Sequence, residues 1–159
     1  MSRLALALAL VGTMFVVGHD DAAADSTNVR LGPPWISIEY PANPHDPASR
    51  GAFLSVNTFH HGTPMDFQIH GTAEGMVNGE RRTQKLEFRR TSRAGVYALH
   101  RQWPSEGTWV LVISTHRSSD DGATALVALG RDGTVASVEV PSRQQDGWTV
   151  PRAVTKAEV

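Results

Sequence analysis

Short runs of alternating apolar and polar residues recur along the chain between residues 35 and 140. Successive side chains of a β-strand point to opposite faces of the sheet, so each run is typical of a strand with one buried face. Turn-forming residues separate the runs, and no segment carries a convincing 3.6-residue period of an amphipathic helix. We therefore predict an all-β protein, a β-sandwich of about eight short antiparallel strands.

The predicted strands occupy residues 35–40, 51–60, 65–72, 83–89, 95–103, 108–114, 123–129 and 134–140. We expect Tyr40 to face inward in the first of them. In the third, Phe67 and Ile69 should face inward and His70 outward. Asn78-Gly79 predicts a two-residue type I′ turn, since both residues tolerate positive φ.

The most apolar stretch, residues 95–114, predicts a central β-hairpin whose turn is formed by residues 104–107. Val110 and Val112 make its second strand apolar on both faces, which favours a central place in a sheet. The Gly95-Val96-Tyr97 sequence fits a tyrosine corner, in which the phenol bonds to backbone upstream. Structural roles in the core are therefore predicted for Tyr97, Trp103 and Trp109.

The first 24 residues have the features of a secretory signal peptide. Arg3 supplies the positive charge, residues 4–17 supply the apolar core, and three alanines precede a cleavage position after Ala24. The apolar core is shorter than the roughly 20 residues that span a bilayer. We predict a signal peptide at 1–24, an extended lead-in at 25–34, the sandwich at 35–140 and a loose C-terminal tail at 141–159, with Trp148 packed back on the domain. The expected location is the bacterial periplasm or the secreted fraction.

The sequence has 159 residues and no cysteine, which excludes disulfides, thiolate nucleophiles, zinc–sulfur sites and iron–sulfur clusters from it. Its 15 basic residues balance 16 acidic ones, and removal of the predicted signal peptide keeps the charge near neutral. No overall field therefore attracts nucleic acid or an anionic membrane. The partners left open are an unidentified protein or a small ligand, and the oligomeric state is open as well.

One pattern in the second half of the domain resembles a known family. Gly95-x-Tyr97 followed by Trp103-Pro104-x-Glu106-Gly107-x-Trp109 is similar to the closing half of YtkA-like domains, and more distantly to the exported immunoglobulin-like CopC and FixH domains. Gly62-Thr63-Pro64 resembles a turn of the same domains, and the resemblance spans residues 60–127. It implies an immunoglobulin-like β-sandwich of about seven to eight antiparallel strands in the bacterial envelope, with no catalytic residues. Some relatives are associated with copper.

A cluster of imidazole and thioether side chains raises the possibility of a copper site. His60, His61, Met65 and His70 lie within one short segment, and such ligands suit copper in a compartment without thiols. His60 and His61 would point to opposite faces of a strand, so a site would use one of them. In the alternative interpretation, both histidines hydrogen-bond backbone at a loop end and Met76 fills the core.

The predicted function is non-catalytic. Motifs of nucleophilic, nucleotide-binding or zinc enzymes are missing, so no catalytic residues are assigned and no cofactor beyond copper is considered. A strip of arginines and Lys85 between residues 81 and 93 is explained either by an anionic partner or by a charged edge strand. The leading hypothesis is an exported binding or accessory module that uses the loops 41–47 and 61–64 at one sandwich end. The alternative is a periplasmic copper-binding protein.

Overall fold

The computed structural model describes residues 32–118 and 121–159, so the predicted signal peptide lies outside the described residues. Two single-turn 3-10 helices cover Pro47–Ser49 and Lys156–Glu158. In these ranges the strands are β1 (Trp35–Glu39), β2 (Leu54–His60), β3 (Thr63–Pro64), β4 (Gln68–Val77), β5 (Glu80–Lys85), β6 (Arg89–Arg90), β7 (Val96–Leu99), β8 (Thr108–Ser118), β9 (Asp121–Leu129), β10 (Val135–Glu139), β11 (Ser142–Gln145) and β12 (Trp148–Pro151).

Two antiparallel sheets form a sandwich. The first sheet has the order β1-β2-β7-β6, with β3 also paired to β2, and the second has the order β10-β9-β8-β4-β5. The neighbours β1-β2-β7-β6 and β9-β8-β4-β5 correspond to the A-B-E-D and G-F-C-C′ orders of immunoglobulin domains. The prediction of an all-β antiparallel sandwich is confirmed. Among the described residues, no helix has the length and apolar character needed to cross a membrane.

The core lies between the two sheets. It takes apolar side chains from the inner face of each sheet, and the alternation within each strand decides which ones face inward. Tyr97, Trp103 and Trp109 are buried, as predicted, and Phe67 and Ile69 are half-buried with His70 exposed. The fully buried members of the core include Ile36, Leu54, Val56, Leu99, Leu111, Ile113 and Val127.

The predicted hairpin at residues 95–114 is wrong, because its two strands belong to different sheets. β7 pairs with β2 and β6, whereas β8 pairs with β4 and β9. Residues 100–107 carry the chain from one sheet to the other, and Trp103 packs edge-on against Phe53 at 5.2 Å within this crossing. The central place of the second strand is confirmed, since β8 is the middle strand of its sheet.

The predicted strand at residues 83–89 is also divided between the sheets. β5 ends at Lys85, the buried Leu86 lies in the connection, and β6 begins at Arg89 in the other sheet. The Asn78-Gly79 turn is confirmed: Val77 pairs with Glu80, and the two central residues have φ of 53° and 80°.

Two aromatic residues lie outside the core, contrary to prediction. Tyr40 follows the last residue of β1 and is 38% exposed, with its ring 5.3 Å from Phe53. The C-terminal segment contains the β11–β12 hairpin instead of a loose tail, and Asp146-Gly147 forms its turn with positive φ at both residues. Trp148 is 75% exposed on this hairpin, so it is not packed back on the domain.

A close approach between β4 and β8 gives a test of the core. Gly75 lies opposite Trp109, and a Cβ atom at position 75 would come within 2.4 Å of the indole ring. We expect Gly75→Ala to lower the free energy of unfolding by about 1–3 kcal/mol, because overpacking forces the ring from its rotamer. Urea denaturation measures the change.

The matched control is Gly32→Ala, where a Cβ atom would meet nothing within 4 Å. It should change the unfolding free energy by no more than about 0.5 kcal/mol, as at other open surface positions. Equal stabilities of the two variants would contradict the packing of Trp109 on Gly75.

Candidate functional site

A cleft of about 580 Å³ opens at the side of the sandwich where the chain crosses from β5 to β6. The beginning of β4 forms one wall, and the crossing segment with β6 forms the other. Its lining mixes apolar, aromatic and charged side chains, as small-ligand sites do. The lining residues are Asp66, Phe67, Gln68, Ile69, His70, Lys85, Leu86, Glu87, Phe88, Arg90 and Tyr97.

β5 pairs only with residues 72–77 of β4. The first residues of β4 therefore have no partner on that side, and this gap forms the cleft. The last hydrogen bond of the β4–β5 ladder runs from the Leu86 N–H to the Gly71 carbonyl oxygen, at 2.9 Å. In a strand, the backbone N–H and C=O groups of successive residues point alternately to the two sides. The backbone groups of Ile69, two residues before Gly71, therefore point to the side that β5 has left, into the gap.

The opposite wall also presents a strand edge. β6 is the last strand of its sheet, and the Thr91 N–H donates to the Val96 carbonyl oxygen at 3.0 Å. Residues 89 and 91 therefore bond to β7, and by the same alternation the backbone groups of Arg90 point away from it, toward the open side. A ligand in the cleft would meet a free edge from each sheet.

Asp66 and Phe67 fasten one end of the cleft across the two sheets. The Asp66 carboxylate pairs with the guanidinium of Arg90 and accepts a hydrogen bond from the Gly95 N–H at 2.7 Å. The Tyr97 hydroxyl donates to the Phe67 carbonyl oxygen at 2.6 Å. Since Arg90, Gly95 and Tyr97 belong to the β6–β7 region, these bonds hold the start of β4 against the other sheet.

The Tyr97 phenol is perturbed by this position. Burial raises its pKa above the usual 10.0, the nearby Asp66 carboxylate raises it further, and the Arg90 guanidinium acts in the opposite direction. The predicted bond from Tyr97 to upstream backbone is present, but Tyr97 lies on β7, which corresponds to strand E. The tyrosine corner belongs to strand F, so that part of the prediction is wrong.

Gln102 holds the crossing segment that forms the other wall. Its side-chain oxygen accepts the Glu87 N–H at 2.9 Å, and its side-chain nitrogen donates to the Glu87 carbonyl oxygen at 2.7 Å. The Gln84 side chain donates to the Gln102 carbonyl oxygen at 2.6 Å. Both walls are thus fixed by hydrogen bonds, which gives the cleft a preformed shape.

The predicted basic strip is not continuous. Because β5 and β6 belong to different sheets, its members are divided, and several are engaged locally: Arg82 with Glu80 at 2.8 Å, and Arg93 with Asp46 at 2.9 Å. Lys85 is exposed on the rim of the cleft and, within the described ranges, has no ion-pair partner.

The four residues proposed for copper fall into two groups. His60 ends β2, where its Nε2 lies 2.8 Å from the Gly32 carbonyl oxygen, and the His61 ring is 4.2 Å from the His60 ring. Met65 follows β3 on the same sheet, and its N–H donates to the Thr58 carbonyl oxygen at 3.1 Å. His70 lies on the outer face of the other sheet. The backbone-bonding alternative describes His60 correctly, whereas Met76 is 47% exposed and does not fill the core.

The structure instead brings His70 close to His116, a residue that the sequence does not single out. Their ring centres are 6.3 Å apart on the adjacent strands β4 and β8. His116 pairs with Gly122 across β9, and a Cβ atom at position 122 would come within 2.5 Å of its Nδ1. Only the strand register reveals this pair. Nowhere in the described part of the chain do three or more His, Cys, Asp or Glu side chains form a group suited to a metal ion.

The two loops proposed for binding lie at opposite ends of β2, since residues 41–47 precede this strand and residues 61–64 follow it. From opposite ends of β2 they cannot form one surface. The prediction that both loops lie at one end of the sandwich is therefore wrong. The cleft, which the sequence analysis missed, is bordered by the residues that follow the second loop.

Comparison with models of known families, with curated proteins and with solved structures finds no match to this chain. The resemblance to YtkA-like domains therefore stays a prediction.

The Tyr97 contact predicts a pH-dependent stability. Tyr97→Phe removes the donor to the Phe67 carbonyl oxygen, and should lower the unfolding free energy near pH 7 by roughly 1 kcal/mol. Above pH 10 the unfolded phenol ionises before the folded one, so the wild type loses stability that Tyr97→Phe keeps. Urea denaturation between pH 7 and pH 11 should show the two curves converging.

The control for the hydroxyl effect at pH 7 is Tyr40→Phe, which alters an exposed ring. A gap between wild type and Tyr97→Phe that stays constant up to pH 11 would show that the phenol titrates alike in both states.

Proposed function

We propose that this chain is an exported, non-catalytic binding module of the bacterial envelope and that its ligand binds in the β5–β6 cleft. The cleft carries the proposal: its volume of about 580 Å³ lies within the usual range of small-ligand sites, and its lining combines apolar and aromatic side chains with several polar and charged ones. Export is supported by the signal-peptide pattern of residues 1–24.

The engagement of Asp66, Arg90 and Tyr97 in holding the walls supports a preformed binding site. Asp66 is paired with Arg90 and bonded to the Gly95 N–H, and the Tyr97 hydroxyl is bonded to backbone. These groups hold the walls of the cleft in place. The side chains left to meet a ligand are the aromatic and aliphatic lining, the polar side chains of Gln68, His70 and Glu87, and the rim cation Lys85.

A fragment screen followed by amide NMR tests the proposal. We expect ligands to shift the amide signals of Ile69, Leu86 and Phe88, which line the cleft. Anionic fragments should bind several-fold more weakly to Lys85→Glu, because the substitution reverses the rim charge.

The matched control is Arg50→Glu, which changes an exposed cation that is absent from the cleft lining. Fragments whose shifts fall elsewhere on the domain, or that bind equally to both variants and to wild type, would contradict a ligand site at the cleft.

The second candidate function is copper binding, and the His70–His116 pair favours it. Two imidazoles that share one ion at metal–nitrogen distances of about 2 Å have ring centres up to roughly 6.4 Å apart. The observed 6.3 Å is within this reach. Imidazole suits copper and also zinc and nickel. His70 lies on β4, whereas His60, His61 and Met65 lie along or beside β2 and β3 of the other sheet, so this candidate function takes His116 as the second ligand.

Thermal melts with Cu(II) and Zn(II) test this candidate. A metal present at about 100 times its Kd stabilises the fold by about 2.7 kcal/mol, which raises Tm by several degrees. The shift should vanish in His70→Ala and in His116→Ala and persist in His61→Ala. A shift lost only in His61→Ala would assign the metal to the other histidine pair, and no shift in the wild type would exclude the function.

A further inference from the structure

We propose that the ligand of the cleft is an extended peptide that adds as a strand to the free edge of β4 at Ile69. This inference rests on the proposed function and names the chemical class of the ligand. It makes the cleft a site of β-strand addition, in which backbone hydrogen bonds give affinity and alternate side chains give specificity.

The backbone of the cleft supplies the first argument. The β4–β5 ladder ends at the bond between Leu86 and Gly71, and β5 itself ends at Lys85. Beyond that bond, the Gly71 N–H and then both the N–H and the C=O of Ile69 lie on that side of β4 and point toward the gap. Both groups on one residue are the pair that an adjacent strand uses, so a peptide amide can bond to each of them.

The lining supplies the second argument, since its two kinds of side chain lie on different faces of β4. Ile69 points inward and packs with Phe88 against the core. His70 is exposed on the outer face, and Lys85 lies opposite Thr72 on that same face. A strand added here would place alternate residues against the apolar lining and the others beside His70 and Lys85.

Charge selects the sequence of the peptide. Lys85 has no ion-pair partner in the described ranges, whereas Arg90 is already neutralised by Asp66. The exposed carboxylate of Glu87 also belongs to the lining, but it lies in the crossing segment beyond the end of β5. Lys85 pairs with Thr72 of β4 and is therefore the charge next to the open edge. The peptide that complements the β4 side therefore alternates apolar residues with acidic ones, and each acidic residue lies on the outer face.

The probe is a short synthetic peptide, acetylated and amidated, that alternates valine with glutamate. Amide NMR and hydrogen exchange on the full domain measure its binding. In the free protein the Ile69 amide should exchange faster than the His70 amide, which bonds to β8. Saturating peptide should shift the Ile69 signal and slow its exchange at least tenfold.

Two matched probes isolate the features argued above. Methylation of the central peptide amides removes backbone donors and should weaken binding at least tenfold while the side chains stay the same. A peptide with lysine in place of glutamate should bind weakly to the wild type, and Lys85→Glu should reverse this preference. Arg50→Glu, remote from the lining, should leave the preference unchanged.

Methylated and unmethylated peptides of equal affinity, or a peptide that leaves Ile69 exchange unchanged, would overturn strand addition. If fragments still shift the cleft amides in that case, the cleft binds a small molecule and the proposed function stands. If neither fragments nor peptides shift these amides, both proposals fail together.

Discussion

Two apolar sheet faces can leave water only by packing against each other, and this constraint decides the path of the chain. Leu54 and Val56 of one sheet and Leu111 and Ile113 of the other are fully buried in this way. Each sheet is completed by strands from both halves of the sequence, so the chain changes sheets repeatedly. Two of these crossings, at residues 86–88 and 100–107, each bury an apolar side chain and so add to the core they serve.

The cleft is a consequence of the first crossing. The chain leaves the second sheet after Lys85, which pairs with Thr72. The residues of β4 that precede Thr72 therefore have no partner on the β5 side. Gln102 belongs to the second crossing and bonds to the backbone of Glu87 in the first, so the two crossings support each other. The contacts of Asp66 and Tyr97 fix the far end. These hydrogen bonds therefore give a defined shape to a cleft that exists because the chain changes sheets at this point.

The sequence predicts which segments are strands far better than which strands pair. Alternation depends on local periodicity, so the buried positions of Tyr97, Trp103 and Trp109 follow from the pattern. Pairing depends on distant segments. The Pro104–Gly107 turn signal is compatible with a hairpin and with a crossing between sheets, and only the competition of β2 and β4 for the two strands decides between them. The four residues proposed for copper are divided for the same reason, because His60 ends β2 and His70 lies on β4, and these strands belong to different sheets.

The His70–His116 pair and the unpaired edge of β4 both follow from the strand register, which no local sequence pattern contains. The charged side chains around the cleft also affect how the strand edges are protected from pairing. Free strand edges invite pairing with other chains, and natural sheets blunt them with short strands and charged side chains. β6 has two residues, both arginine, whereas the open part of β4 begins with Gln68 and carries the half-buried Ile69. The edge of the first sheet is therefore protected in the usual way, and the edge of the second is recessed in a cleft. A recessed edge of this kind would favour a single extended chain over a whole sheet, as the proposed strand addition requires.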